Sequence, residues 1–218
     1  QERTNTLDEI VVTAQKREES LKDVPVSIQV LDQELIQNED LRNLQDYVDL
    51  VPSMSVERPT IAGSSGDVRI RGIGALGGIN ETWALYVDGF DMTGAGSSAG
   101  SVRLADAERI EVLRGPQGTA FGRNVVAGAI NITSKTPDPT ARSARIAFDA
   151  GNLETYGVIG SANIPLSDKT AIIISGFYDT TDGQIENIGP AGGSNSIENI
   201  GGRLSLYSNP TEQLEVKA

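Results

Sequence analysis

Apolar and polar residues alternate in successive segments between residue 143 and the end of the chain, interrupted by a long polar stretch at residues 180–196. This pattern restricts the possible fold more than any other feature. Ala144, Ile146, Phe148 and Ala150 share one face of a predicted strand. The next segment repeats the alternation at Tyr156, Val158, Gly160, Ala162 and Ile164. Antiparallel strands with one apolar face occur in outer-membrane barrels and also in soluble sandwiches or meanders. The alternation alone leaves both architectures open.

The strands that follow indicate the front end of a longer protein. A third predicted strand covers residues 170–179, and its register stays open because isoleucines occupy both faces. A fourth contains Ile200, Gly202, Leu204 and Leu206 on one face, and a fifth begins at Leu214 and stops with the chain at Ala218. A membrane barrel needs about eight strands or more. We therefore expect these strands to be completed by sequence beyond residue 218.

The composition excludes several classes of protein. The 218 residues include 18 Lys and Arg against 30 Asp and Glu, a formal net charge of −12, whereas nucleic-acid binders carry a basic surface. There is no Cys and no His, so a cysteine nucleophile, a thiolate metal site, a histidine base and a Ser-His-Asp triad are absent. The longest aliphatic run, residues 171–174, is far shorter than the ~18 residues of a membrane-spanning helix. We expect no enzyme, no metal site, no cofactor and no nucleic-acid partner.

Residues 24–139 predict a domain that mixes strands and short helices. Predicted strands lie at residues 24–30, 68–71, 83–87, 110–112 and 129–132, and Asp88-Gly89 is a turn dipeptide. Asp40 is in a position to cap a helix that contains Leu41, Leu44, Val48 and Val51 and ends before Pro52. The pattern therefore predicts an α+β fold for this part of the chain.

Residues 1–23 are mostly charged or polar, which predicts a flexible segment because little apolar surface is available for burial. The exception is the β-branched run Ile10-Val11-Val12, followed by Thr13 and Ala14. From the pattern alone, this run is either an isolated short strand or a segment with a function of its own.

Two glycine-rich segments resemble nucleotide-binding loops, and both interpretations fail on spacing. Residues 72–77 match G-x-G-x-x-G, but the next strand begins near Trp83 and leaves no room for the helix that would bind a pyrophosphate. Residues 115–123 lack the G-K-[ST] ending of a phosphate-binding loop. Both segments are better explained as turns and loops.

Four motifs in order carry a family resemblance. They are Val68-Arg69-Ile70-Arg71-Gly72, Tyr86-Val87-Asp88-Gly89, Arg109 to Pro116, and Gly128-Ala129-Ile130-Asn131-Ile132. This series resembles the plug of TonB-dependent outer-membrane receptors over residues 21–137. Residues 166–178 and 203–206 resemble the first hairpins of the family's barrel. The resemblance implies a flexible segment at 1–23, an α+β plug (a small mixed sheet with short helices) at 24–139, and at 140–218 the first antiparallel strands of a transmembrane β-barrel of about 22 strands, here truncated.

The resemblance also implies a function and a set of partners. Such receptors import scarce nutrients such as siderophores, cobalamin or oligosaccharides across the outer membrane of Gram-negative bacteria. The periplasmic domain of TonB, linked to an inner-membrane energising complex, pulls on the plug that closes the barrel, and outer-membrane lipid surrounds the barrel. Ile10, Val11, Val12, Thr13 and Ala14 resemble the TonB box, which binds TonB by adding a strand to its sheet. Because Ile10 lies so near residue 1, no signalling domain is expected before the box.

Further residues take roles from the resemblance. Arg71 and Arg114 match the positions at which family plugs pair with carboxylates of the barrel wall, although both could instead be paired within the plug. Three loops, residues 58–66, 74–81 and 91–101, correspond to the outward, ligand-facing side. The candidate ligand-facing residues in these loops are Arg58, Gly74, Gly77, Asn80, Glu81, Asp91 and Ser97. Arg58 is the only arginine among them, which argues against a highly anionic ligand.

A second functional class remains open. An outer-membrane binding or adhesion protein could keep the plug without being energised by TonB. Dependence on the box distinguishes the two, since uptake requires coupling to TonB and adhesion does not.

Overall fold

The computed structural model describes residues 11–12, 19–20, 26–42, 44–57, 67–74, 82–93, 104–122, 125–152, 154–182, 196–211 and 214–217. In chain order, the elements are β1 (Val11–Val12), β2 (Glu19–Ser20), β3 (Ser27–Asp32), α1 (Gln33–Asn38), α2 (Leu44–Val48), β4 (Met54–Glu57), β5 (Asp67–Ile70), β6 (Trp83–Val87), β7 (Phe90–Asp91), β8 (Ala107–Arg114), α3 (Gly118–Phe121), β9 (Gly128–Ser134), β10 (Ser143–Gly151), β11 (Thr155–Ser167), β12 (Thr170–Thr181), β13 (Ile197–Thr211) and β14 (Leu214–Lys217). No helix in these ranges has the length and apolar character that crossing a membrane requires.

The chain divides into two compact units. The first comprises Gln1–Val102 and Ala107–Ser134, and the second comprises Arg103–Asp106 and Lys135–Ala218. The first unit contains most of residues 24–139, for which an α+β fold was predicted, and the second contains the alternating strands. The polypeptide therefore passes from one unit to the other both before and after the segment 107–134.

A mixed sheet forms the centre of the first unit, with strand order β3-β8-β9-β6-β7. β6 and β9 are parallel, and the other pairs are antiparallel. In β8, Ile110 and Val112 point to one face and Glu111 and Leu113 to the other, and all four are fully buried. Because both faces are covered, β8 lacks the clear alternation of the strands in the second unit.

Local chemistry explains the turn between β6 and β7. Asp88 and Gly89 have φ angles of 50° and 83°, as a two-residue turn of type I′ requires at both central positions. The Asp88 carboxylate accepts hydrogen bonds from the backbone N–H and hydroxyl of Ser134, at 2.8 and 2.9 Å. The turn predicted at this dipeptide is confirmed, and its aspartate also binds the end of β9.

The prediction that Asp40 caps a helix was wrong. Asp40 follows α1 with a φ of 50°, whereas an N-cap residue has extended backbone. Its carboxylate instead pairs with the guanidinium of Arg42. The helix predicted after Asp40 is shorter than expected and is α2, Leu44–Val48. A capping aspartate lies at the start of the other helix, α1, where Asp32 Oδ1 accepts a hydrogen bond from the backbone N–H of Leu35 at 2.8 Å.

The second unit contains a five-stranded antiparallel sheet in the order β10-β11-β12-β13-β14. The pairings Ala144–Ala162, Ile146–Gly160 and Phe148–Val158 confirm that the predicted apolar positions of β10 and β11 share a face. The register of β12 is set by Ile174 opposite Leu204, which puts exposed Ile174 on this face and buried Ala171 and Ile173 on the other. The sheet thus has one exposed apolar face.

Candidate functional site

The segment predicted to bind a partner strand is itself a strand. Val11 and Val12 form β1, which pairs antiparallel with β2 so that Val11 lies opposite Ser20 and Val12 opposite Glu19. Ile10, Thr13 and Ala14, the other three residues of the predicted box, lie outside the described residues. The extended backbone at Val11 and Val12 has the shape that strand addition to another sheet requires.

The Val12 side chain is fully buried against the central sheet of the first unit. Its cluster of buried residues comes from β6, β8, α3, β9 and the segment between α3 and β9, and contains Ala84, Tyr86, Leu113, Phe121, Val125 and Ala129. Three partly buried residues, Val26, Ile28 and Val30, pack against the same cluster. Full burial of a valine stabilises by about 1.5–3 kcal/mol. The Val12 side chain therefore packs this part of the predicted box against the sheet.

Tyr86 and Phe121 form the aromatic part of this cluster. Their ring centroids are 5.1 Å apart at an interplanar angle of 66°, an edge-to-face pair. The Tyr86 hydroxyl donates a hydrogen bond to the Phe121 carbonyl oxygen at 3.2 Å. Burial, and secondarily the charge of Asp91, raise the pKa of Tyr86. The hydroxyl therefore stays protonated at neutral pH and keeps its role as donor.

The structure brings Arg71 and Arg114 to the same place, although β6 and β7 separate them in sequence. Arg71 has a φ of 56°, and its backbone N–H donates a hydrogen bond to the Ser53 carbonyl oxygen at 2.7 Å. Arg114 Nη1 lies 3.4 Å from the carbonyl oxygen of Pro52. A Cβ added to Gly115 would lie 3.2 Å from Arg71 Nη1. Gly115 thus leaves room for the Arg71 guanidinium beside the end of β8.

Neither arginine has a carboxylate partner among the described residues. Arg114 Nε is buried and has no hydrogen-bond acceptor in that part of the chain. Leaving a buried charged donor unsatisfied costs about 1–3 kcal/mol or more. The pairing of these arginines with a barrel wall stays a prediction. An acceptor for Arg114 would have to lie within hydrogen-bond distance of its buried Nε.

Only two of the predicted ligand-facing residues lie within the described residues. Gly74 is partly exposed, and Asp91 is exposed at the end of β7, where its Oδ1 accepts a hydrogen bond from the backbone N–H of Thr93 at 2.9 Å. Arg58, Gly77, Asn80, Glu81 and Ser97 lie outside them. The ligand-facing assignment stays a prediction.

Sequence reasoning missed a buried charged network in the first unit. Glu111 is fully buried, and its Oε1 accepts a hydrogen bond from Arg109 Nε at 2.9 Å. Its Oε2 accepts from Asn131 Nδ2 at 3.2 Å, and Asn131 lies opposite Glu111 on β9. The signal in the sequence is a glutamate inside an otherwise apolar run, two residues after an arginine. Such an ion pair inside a sheet needs all its partners to be tolerated.

Two comparisons of sequence place the chain among known proteins. The family model described as "TonB-dependent Receptor Plug Domain" matches residues 20–129. The chain is 30% identical to the "Iron-regulated outer membrane virulence protein" of Vibrio cholerae over 100% of its own length and 34% of that relative. It is 28% identical to the "Vitamin B12 transporter BtuB" of Vibrio vulnificus over 82% of its length and 29% of that relative. The chain spans about a third of the length of these curated relatives.

Solved structures share the fold at lower identity. The ferric yersiniabactin uptake receptor FyuA from Yersinia pestis superposes with a TM-score of 0.74 at 24% identity, over 86% of this chain and 29% of that one. The pyoverdine outer membrane receptor FpvA from Pseudomonas aeruginosa PAO1 has a TM-score of 0.77 at 17% identity, over 95% of this chain and 29% of that one. At these identities the likeness concerns the fold alone.

Proposed function

The chain belongs to the TonB-dependent receptor plug family, and on that premise we propose that it is the N-terminal part of an outer-membrane receptor that imports a scarce nutrient with energy delivered through TonB. The protein is an outer-membrane protein, like the relatives whose names say so. The nutrient is a siderophore, a cobalamin or an oligosaccharide. The names of similar proteins include an iron-regulated outer membrane virulence protein, a vitamin B12 transporter and a catecholate siderophore receptor. These names support the siderophore and cobalamin classes.

The position of β1 carries the proposal. Val11 and Val12 form an extended strand just before the match to the plug family begins at residue 20. TonB binds Ile10 to Ala14 by strand addition, where main-chain hydrogen bonds bear the load. Because Val12 is buried against β6, β8 and β9, a pull on this segment withdraws an apolar side chain from the central sheet. Force from TonB therefore acts first on the central sheet, to which three of the four family motifs contribute β6, β8 and β9.

The remaining parts follow from family membership. Residues 1–23 form the TonB-box segment, 24–139 the plug, and 140–218 the first strands of a barrel that about 22 strands complete. The exposed apolar face of β10–β13 contacts lipid, and its most exposed large side chains are Ile146, Phe148, Ile200 and Leu204. Residues 58–66, 74–81 and 91–101 face the ligand.

Uptake by the full-length receptor tests the proposal directly. Cells of a receptor-deletion strain that carry the full-length gene should accumulate one of three probes: ⁵⁵Fe-labelled ferric catecholate, ⁵⁷Co-cyanocobalamin or a radiolabelled oligosaccharide. Accumulation should disappear when TonB is deleted. Binding of a probe at the surface that is the same with and without TonB, with no accumulation, would identify the non-energised binding protein instead.

Arg71 and Arg114 hold the plug to carboxylates of the completed barrel wall. Arg71→Ala and Arg114→Ala should therefore each raise the sensitivity of cells to vancomycin, which is too large to cross an intact outer membrane quickly. The reason is that a barrel carboxylate left without its arginine destabilises the closed arrangement. Arg114→Ala should have the larger effect, because the Nε of Arg114 is already buried.

Exposed Arg142 provides the matched control, since Arg142→Ala removes the same charge from the surface. Vancomycin sensitivity should be measured at equal amounts of receptor in the outer membrane. If both arginine variants match the wild type, the two arginines are satisfied within the plug and the lock does not exist.

A further inference from the structure

The chain passes from one unit to the other just before and just after residues 107–134, and one hydrogen bond joins these two points. Asp106 is the last residue of the second unit before β8, and Lys135 is the first residue of that unit after β9. The Lys135 backbone N–H donates to the Asp106 carbonyl oxygen at 2.8 Å. The segment with β8, α3 and β9 therefore leaves and re-enters the second unit through one closed stem, formed by Asp106 and Lys135.

The side chain of Asp106 binds this stem to two strands of the second unit. Its Oδ2 accepts a hydrogen bond from the Ser175 hydroxyl on β12 at 3.2 Å and lies 3.3 Å from Arg203 Nε on β13. Ser175 and Arg203 are opposite each other in the sheet, so one carboxylate contacts both strands. Arg203 Nε also donates to the Ser205 hydroxyl at 3.2 Å.

The two partners of this ion pair are buried to different extents. The Asp106 side chain is 8% exposed and that of Arg203 is 35% exposed. Because the Asp106 carboxylate is the buried partner, loss of the arginine would leave a buried negative charge without its ion pair, which is destabilising. A coupled pair should therefore show a specific pattern in single and double variants.

We infer that Asp106, bound to Arg203 and Ser175, is a retention anchor that holds the stem of the β8–β9 segment on the first barrel strands. In the predicted arginine lock, Arg71 and Arg114 would pair with carboxylates of the barrel wall. In this anchor the charges are reversed, since the carboxylate of Asp106 precedes β8 and the arginine, Arg203, belongs to β13. It rests on the proposed function only in that the second unit is taken as barrel wall. Without the anchor, the stem that precedes β8 and follows β9 loses its charged contact with β13.

Permeability of the full-length receptor in cells that lack TonB tests the anchor without any transport. Asp106→Asn should raise vancomycin sensitivity several-fold at equal receptor amounts, because the stem loses its charged contact with β13. Asp106→Asn combined with Arg203→Gln should be no more sensitive than Asp106→Asn alone, because both substitutions remove the same contact. Asp168→Asn removes an exposed carboxylate in the β11–β12 turn and should change nothing. Wild-type sensitivity of Asp106→Asn, or a double variant whose sensitivity is the sum of the effects of Asp106→Asn and Arg203→Gln, would overturn the inference.

A disulfide provides a second measurement should Asp106→Asn fail to reach the membrane. The chain has no cysteine, so Asp106→Cys with Ser175→Cys introduces one defined pair at a place where the native side chains are within hydrogen-bond distance. In the inserted receptor the bond should form on mild oxidation and keep vancomycin sensitivity low. Absence of the bond in folded receptor would show that the stem does not lie on β12, against the inference. Because neither assay measures uptake, a failed transport proposal would not affect the result.

Discussion

Val11→Pro is expected to abolish nutrient uptake and TonB binding while leaving ligand binding at the cell surface intact. Proline removes the backbone N–H of residue 11 and restricts its φ angle, so the strand can no longer complete a ladder of main-chain hydrogen bonds. Val11 belongs to β1 and lies opposite Ser20 on β2. The loops proposed to face the ligand are other segments of the chain, and surface binding should therefore persist.

Two other substitutions separate loss of the main-chain ladder from loss of a side chain. Val11→Ala keeps the N–H and the extended backbone, so uptake should fall only partly. Asn5→Pro introduces proline into the same polar segment outside Ile10 to Ala14 and should leave uptake unchanged. The measurements are accumulation of labelled ligand in cells, binding of the purified TonB periplasmic domain, and ligand binding at low temperature. Val11→Pro cells that accumulate ligand at the wild-type rate would show that residues 10–14 are not the coupling segment.

Gly128→Ala is expected to remove most of the receptor from the outer membrane. Gly128 is the first residue of β9 and pairs with Arg114 on β8 and Trp83 on β6. A Cβ at this position would lie 2.2 Å from the carbonyl oxygen of Leu113 and 3.1 Å from Ile70 Cδ1. The Leu113 oxygen belongs to the backbone of β8, which pairs with β3 and β9, so it cannot move aside without disturbing the sheet. The loss in stability should be about 3 kcal/mol, the upper part of the range for overpacked cores.

Gly118→Ala is the matched control for this effect. A Cβ at Gly118 would meet nothing within 4 Å, and Gly118 is the first residue of α3. Alanine favours helices over glycine, so the amount of receptor should be unchanged or slightly higher. The measurement is the amount of heat-modifiable receptor in the outer membrane, followed by the urea midpoint of the purified protein in detergent. Equal amounts of the two variants would contradict the steric argument.

Much of the strand content could be predicted from local patterns. The alternation in residues 143–211 predicts which residues share a face, and the turns at Asp88-Gly89 and residues 167–169 follow from their composition. Helix α1 was not predicted, because only Ile36 in it is buried and six residues show little periodicity. The register of β12 was also open from sequence, because isoleucines occupy both faces. The pairing of Ile174 with Leu204 on β13 settles it.

For the candidate sites, too, the sequence identified some features and only the structure revealed the others. The order of the four motifs identified the family and pointed to the box and the two arginines. The sequence held no sign that Val12 is buried under the central sheet, or that Arg71 and Arg114 lie beside the same turn. Asp106 gave no signal at all, since a single aspartate between two alanines does not indicate a partner far away in sequence.

Sequence alone therefore determined the family, many of the strands and the faces of β10, β11 and β13, because alternation and turn chemistry depend on neighbouring residues in the chain. Tertiary structure alone decided the strand order β3-β8-β9-β6-β7, the parallel pairing of β6 with β9, and the contacts of Val12, Glu111 and Asp106. These features depend on which distant segments meet. A period of two residues specifies the faces of a strand but not its partner, and a charged side chain does not reveal whether it lies in solvent or against an arginine far away in sequence.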